Sequence, residues 1–136
     1  MMTKLNVGCG AKTIDGYIGI DKLDFGQDII CDIEKQALLF NSNKIDEILC
    51  EHCLEHLNDP MAAINEFWRV LAPDGKLTII VPHRKSDRAW VIDHKTYYDE
   101  NSFDTLETHH QQKWKITHKA VNDRPDVVIE LKPNKL

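Results

Sequence analysis

The sequence predicts a single α/β domain, residues 1–136, whose sheet is mostly parallel and whose helices are reduced. Three observations carry this. Short apolar runs repeatedly end at a glycine or a carboxylate, as in Lys4–Gly10, Tyr17–Asp21 and Ile29–Asp32. A strand pattern, an amphipathic helix pattern and another strand pattern follow one another between Ile45 and Pro82, the order of a parallel crossover. Two last strands flank Asn122-Asp123-Arg124-Pro125, the usual chemistry of an antiparallel turn.

Taken in order, the first strand, Lys4 to Val7, breaks into Gly8-Cys9-Gly10. The connection from Ala11 to Gly16 contains the turn pair Asp15-Gly16 and is too short for a helix of normal length. Tyr17 to Asp21 is the second strand, and Asp28 to Ile33 is expected as a buried third, closed by a second carboxylate, Asp32. Ile45 to Cys50 is the fourth, and Glu51-His52-Cys53-Leu54-Glu55-His56-Leu57 is expected to form one or two helical turns.

The clearest helix starts at Asn58-Asp59-Pro60, where a capping side chain precedes a proline whose missing N–H costs nothing. Met61, Ile64, Phe67, Trp68 and Leu71 form its apolar stripe, and Pro73-Asp74-Gly75 is expected to stop it. Lys76 to Val81 is then the fifth strand, closed by Pro82. His83 to Tyr98 is polar and irregular with aromatics mixed in, the pattern of a long loop over a site. A short helix is expected after Asp99, and Lys113 to Val121 and Val127 to Leu131 are the terminal strands. One conflict stands: parallel neighbours normally need a crossover of a dozen or more residues, and on that rule alone the first two strands form a hairpin.

Composition narrows the function. Hydrophobic content of 42% with 29% charged residues is that of a soluble globular protein, and no apolar run approaches the roughly 20 residues that span a bilayer. Met1-Met2-Thr3-Lys4 runs straight into a strand pattern, so no signal peptide is expected. A net charge of −5 argues against an extended nucleic-acid footprint, leaving only a small basic patch at His83-Arg84-Lys85 and Arg88. Cys9, Cys31, Cys50 and Cys53 in a chain without secretory features read as reduced thiols, which fits a cytoplasmic setting.

The glycine turn after the first strand lets backbone approach a ligand closely, and Asp21 at the next strand tip is placed to accept hydrogen bonds from vicinal ribose hydroxyls. The dinucleotide fingerprint nevertheless fails. Its third glycine is replaced by Thr13, and its acid should come about 20 residues further on. A nucleoside ligand without a pyrophosphate is the better match.

Leu5-Asn6-Val7-Gly8-Cys9-Gly10, Gly19-Ile20-Asp21, Cys31-Asp32-Ile33, Glu51–Leu57 and Val70-Leu71-Ala72-Pro73-Asp74-Gly75-Lys76-Leu77 together resemble class I S-adenosylmethionine-dependent methyltransferases. The likeness is to small, type-11-like members with a trimmed first crossover, and through Asp93-His94-Lys95-Thr96-Tyr97-Tyr98 it reaches about residue 107. It implies a Rossmann-like methyltransferase fold with a seven-stranded sheet of order 3-2-1-4-5-7-6, in which only strand seven is antiparallel. It also implies S-adenosyl-L-methionine as cofactor, with Gly8, Cys9 and Gly10 near its methionine part, Asp21 on the ribose, Asp32 and Ile33 at the adenine, and Glu51 and His52 flanking the sulfonium.

Methyl transfer from a sulfonium needs alignment and a dry site more than covalent help, and a base only for a protonated acceptor. His94 is the first candidate, with His56 and His83 behind it. The acceptor expected is a small molecule or a glycan, the latter because the resemblance is to small members found among glycan and cell-surface biosynthesis genes. The trimmed connections leave the cofactor less covered, which implies weaker binding, completion by a partner subunit such as a second copy, or a binding module without turnover. The Cys50-x-x-Cys53 and His52-x-x-Glu55-His56 spacings raise a metal reading. Four ligands within seven residues cannot easily converge on one zinc, however. Some ubiquinone-type O-methyltransferases, which this segment also resembles, hold magnesium with two glutamates and a histidine, but His52 stands in place of the first glutamate, and imidazole is a poor magnesium ligand. No metal is therefore assigned from the sequence.

Overall fold

A computed structural model describes residues 2–135. Seven strands form one sheet: β1 (Lys4–Val7), β2 (Tyr17–Asp21), β3 (Ile29–Ile30), β4 (Ile45–Glu51), β5 (Leu71–Pro82), β6 (Trp114–Val121) and β7 (Asp126–Pro133). Their order is β3-β2-β1-β4-β5-β7-β6, and β7 alone runs antiparallel to its neighbours. This is the expected Rossmann-like methyltransferase sheet.

The hairpin alternative fails, because β1 and β2 pair in parallel, with Leu5 opposite Ile18 and Val7 opposite Ile20. Chain length explains why a loop suffices. A four-residue strand is only about 13 Å long, whereas residues 8–16 can reach roughly 30 Å when extended. Gly8 and Gly10 reverse the chain with φ of 71° and 57°, and the N–H groups of Gly8 and Cys9 both donate to the Ile20 carbonyl, at 2.8 and 3.1 Å. Lys12, Thr13 and Ile14 of the loop line a small pocket together with Asn6, Tyr17 and Gly19 of the strands.

The third strand is shorter and more exposed than expected. Only Ile29 and Ile30 pair, at the sheet edge, and Ile30 is 58% exposed. An edge strand has one neighbour, and here its outer side chain meets no covering helix. Cys31 still donates its N–H to the Asp21 carbonyl at 2.9 Å before the chain turns away.

The helix α1 (Pro60–Val70) begins as expected, with Asp59 Oδ1 accepting from the Ala62 N–H at 3.1 Å. Ala63, Ile64, Phe67 and Val70 are its buried face. It ends earlier than Pro73: Leu71 is already extended and pairs with Ile45 as the start of β5, and the register then jumps so that Lys76 faces Glu47. Proline disfavours helix in the residue before it, and the Ala72–Gly75 excursion absorbs the jump. Gly75 is required there, since a Cβ would lie 3.0 Å from the Ala72 carbonyl oxygen and 3.1 Å from that of Ile45.

Residues 54–56 form one 3-10 turn rather than a helix. The loop 83–98 contains a 3-10 turn at Asp87–Trp90 and is pinned by a His83–Tyr98 bridge. The short helix after Asp99 is a 3-10 turn at Asp104–Glu107. The turn before β7 is held by Asn122 Oδ1, which accepts from the N–H groups of Arg124 and Asp126.

The two faces of the sheet differ. Leu5, Val7, Ile20, Ile48, Cys50, Leu77, Ile79, Val81, Val127, Ile129 and Leu131 share one face by register and are buried. The opposite face carries Lys4, Tyr17, Glu47 and Lys76 in one row and Leu49, Thr78 and Glu130 in another. Its charges pair with one another: Glu47 bonds Tyr17 and lies 3.2 Å from Lys76 and 3.8 Å from Lys4. Parallel sheets are normally covered on both faces, so the missing crossover helices leave a polar-studded second face. Among the described residues no helix is long and apolar enough to cross a membrane.

Candidate functional site

The carboxyl ends of β1, β2 and β4 open into a cleft of about 640 Å³, a size suited to a small ligand. Its floor is the glycine turn. A Cβ at Gly8 would overlap the Cβ and Sγ of Cys53, whereas one at Gly10 would meet nothing. Gly8 is therefore packed against the segment after β4, and Gly10 leaves backbone open to the cleft.

Asp21, at the tip of β2, fastens this turn. Its Oδ2 accepts from the Gly10 N–H at 2.9 Å and its Oδ1 from the Leu23 N–H at 3.1 Å, so each carboxylate oxygen keeps a lone pair for a further donor. Asp32 and Ile33 follow the edge strand, with Asp32 Oδ1 accepting from the Glu34 N–H at 3.0 Å. Cys31, Leu57, Leu23 and Phe25 add apolar lining, and Phe25 is half exposed at 48%. Burial, and then the Asp21 charge, pushes the Cys9 thiol up; burial followed by Asp32 does the same to Cys31. Both stay neutral thiols.

The structure brings Gly8, Cys9, Gly10, Asp21, Asp32, Ile33, Glu51 and His52 together around this one cleft, with His56 beside them. Glu51 pairs with Lys12 at 2.8 Å, and both line the cavity. His52 has a left-handed backbone, φ 53°, and its Nε2 lies 3.4 Å from Asp126 Oδ2. Asp126 is 1% exposed, accepts from Arg88 at 2.9 Å and lies 3.7 Å from Arg124 Nε.

Of the three candidate bases, only His56 lines the cleft. His94 stacks edge-on against it, with ring centroids 4.7 Å apart. His83 stands apart: it is 7% exposed, its Nδ1 accepts from the Lys85 N–H, and its Nε2 meets Glu100 at 2.9 Å.

Sequence reasoning missed Lys12, Phe25 and Arg124 as cleft residues. Arg124 had no local signal beyond its place in a turn, since only the β6–β7 hairpin brings it over the cleft. Neither cysteine of the Cys-x-x-Cys pair joins a grouping of metal-ligand type among the described residues; a hydrogen bond with Cys53, then burial, pushes the Cys50 thiol well above its ordinary range. Among the described residues the one grouping of metal-ligand type is Glu55, His56 and His94, without His52.

A mostly parallel sheet in this order, with a glycine turn and a strand-tip carboxylate at its carboxyl edge, defines a Rossmann-like nucleoside-cofactor fold. The type-11 family of methyltransferase domains matches residues 5–79, and the chain belongs to this family of class I S-adenosylmethionine-dependent methyltransferases. No curated protein matches the sequence. Solved structures of the same fold are distant in sequence. The Burkholderia thailandensis 1,6-didemethyltoxoflavin-N1-methyltransferase, with bound 1,6-didemethyltoxoflavin and S-adenosylhomocysteine, is 15% identical at a TM-score of 0.72, over 98% of this chain and 71% of that one. An Aquifex aeolicus SAM-dependent methyltransferase is 18% identical, TM-score 0.70, over 96% and 81%. A putative methyltransferase complexed with the Haloferax volcanii Trm112 methyltransferase activator is 12% identical, TM-score 0.76, over 99% and 83%.

Proposed function

We propose that this chain transfers a methyl group from S-adenosylmethionine to a small-molecule or glycan acceptor in the cleft at the carboxyl ends of β1, β2 and β4. The observation that carries it is the Asp21–Gly10 contact, a strand-tip carboxylate bonded to an open glycine turn. The donor set suits the cofactor. Asp21 offers acceptors to two ribose hydroxyls, Ile33, Cys31 and Leu57 supply an apolar slot for the adenine with Asp32 at its edge, and Gly8, Cys9 and Gly10 admit the methionine part. Glu51 offers a carboxylate to its ammonium once Lys12 yields.

Bound there, the cofactor supplies the electrophilic methyl group. The chain supplies alignment and exclusion of water. His52 and His56 face the cleft beside Arg124, and in the metal-free chain His56, with His94 edge-on against it, is the imidazole placed to receive a proton from a hydroxyl acceptor. The Burkholderia enzyme's bound 1,6-didemethyltoxoflavin supports an acceptor of small-molecule size.

Calorimetry with S-adenosylmethionine and S-adenosylhomocysteine, followed by labelled-methyl transfer to small-molecule and sugar-containing acceptors, tests this. Absence of binding at millimolar cofactor sinks the reading, and binding without transfer to any acceptor points instead to a binding module.

A further inference from the structure

Glu55 has no side-chain partner for one of its oxygens. The residue is 2% exposed, and Oε1 is fully buried without a hydrogen bond. A buried, unpaired carboxylate oxygen is costly unless a ligand satisfies it. Two backbone N–H groups, of Lys95 at 2.7 Å and Thr96 at 3.4 Å, donate to the Glu55 carbonyl, which brings the loop carrying His94 against the 3-10 turn carrying Glu55 and His56. One ligand atom from each of these three side chains then lies within 4.8 Å of the other two.

The tautomer of His94 is also set. Its Nδ1 lies 3.0 Å from the Ala89 carbonyl oxygen, so Nδ1–H donates and Nε2 carries the free lone pair. Metal-ligating histidines characteristically donate their other ring N–H to a carbonyl or carboxylate in this way. His52, which completes the His-x-x-Glu-His spacing in sequence, lies outside this grouping; its Nε2 is 3.4 Å from Asp126 Oδ2 and makes no hydrogen bond.

We propose that Glu55, His56 and His94 form a binding site for a divalent transition-metal ion of the zinc class. Two imidazoles and one carboxylate suit zinc, cobalt or iron and disfavour magnesium, which prefers oxygen ligands. Tetrahedral bonds of about 2.0 Å need ligand atoms roughly 3.3 Å apart, so the three side chains close on the ion by small rotations. His56 lines the cleft, so the open coordination positions face it and take water or an acceptor heteroatom. That last use rests on the proposed methyl transfer; the metal site does not.

The test is titration of chelator-treated full-length protein with Co²⁺, read by visible absorption and calorimetry, with Zn²⁺ displacement and a Mg²⁺ comparison. Far-UV circular dichroism of the same samples checks folding, and S-adenosylhomocysteine binding is measured in parallel. One cobalt per chain is expected, displaced by zinc and not by magnesium. Affinity should fall about tenfold or more in Glu55→Gln and in His94→Ala, and stay unchanged in His52→Ala. His94 sits on a partly exposed loop, so its variant is informative even if Glu55→Gln misfolds. The proposal is overturned by no stoichiometric cobalt binding, by unchanged affinity in His94→Ala, or by a thiolate charge-transfer band that disappears in Cys53→Ser. Failure of S-adenosylhomocysteine to bind intact protein counts against the methyltransferase reading alone.

Discussion

Asp21 joins two functions in one side chain: it fastens the glycine turn and faces the cleft. Asp21→Asn keeps the volume but removes a charge-assisted acceptor, so affinity for S-adenosylhomocysteine should fall about 10- to 100-fold, or about 1.4–2.8 kcal/mol, by calorimetry. The two turn glycines should behave differently. Gly8→Ala must displace Cys53 and also strain a positive φ, whereas Gly10→Ala meets open space and carries only the conformational cost, about 1 kcal/mol. Urea denaturation should therefore show a clearly larger loss for Gly8→Ala; equal losses would mean that the turn does not pack on Cys53 as described. The glycines and Asp21 were legible in the sequence because turn chemistry and strand tips are local. His56, His94 and Arg124 were not separable there from other surface residues, because their meaning lies in what faces them.

At the scale of elements, α1 does more than cover the sheet. Its Glu66 accepts from the Leu38 N–H at 2.6 Å and pairs with Arg69, whose guanidinium donates to the carbonyls of Leu38 and Phe40 at 3.1 and 3.0 Å. This ties the patternless connection between β3 and β4 to the helix. Burial would raise the Glu66 carboxyl, but Arg69 and the Leu38 N–H outweigh it and hold it below the usual value. A carboxyl lowered on folding stabilises above its unfolded pKa and loses that contribution as pH falls through the folded one. Glu66→Gln should thus cost about 1–2 kcal/mol at neutral pH. The difference from the parent should shrink below about pH 4 in pH-dependent chemical denaturation. Removing the helix cap with Asp59→Ala should cost about 1 kcal/mol in the same assay. The start of α1 was legible because its capping signal is local. Its end was not, because Leu71 leaves the helix to pair with Ile45, a contact made across 26 residues.

Over the whole molecule, one face of the sheet holds the core and the other carries paired charges. Neighbours on β4 make the contrast testable: Ile48 is fully buried, while Leu49 points to the open face. Ile48→Ala should cost about 2–5 kcal/mol, and Leu49→Ala clearly less, as measured by thermal and urea unfolding. Equal costs would show that something covers the second face in solution.

The sequence by itself determined the strand and helix order, the reading of a nucleoside cofactor without a pyrophosphate, and the family, because alternation, caps, turns and strand-tip residues act over a few positions. Only the tertiary structure decided that the first two strands lie parallel despite their short link, that β3 shrinks to an exposed edge, and that Arg124 reaches the cleft. It alone set His94 beside Glu55 and His56 and left His52 outside that grouping. The physical reason is the same throughout: these outcomes depend on contacts between residues far apart in the chain, whose closure entropy is compensated only by burying one sheet face cooperatively.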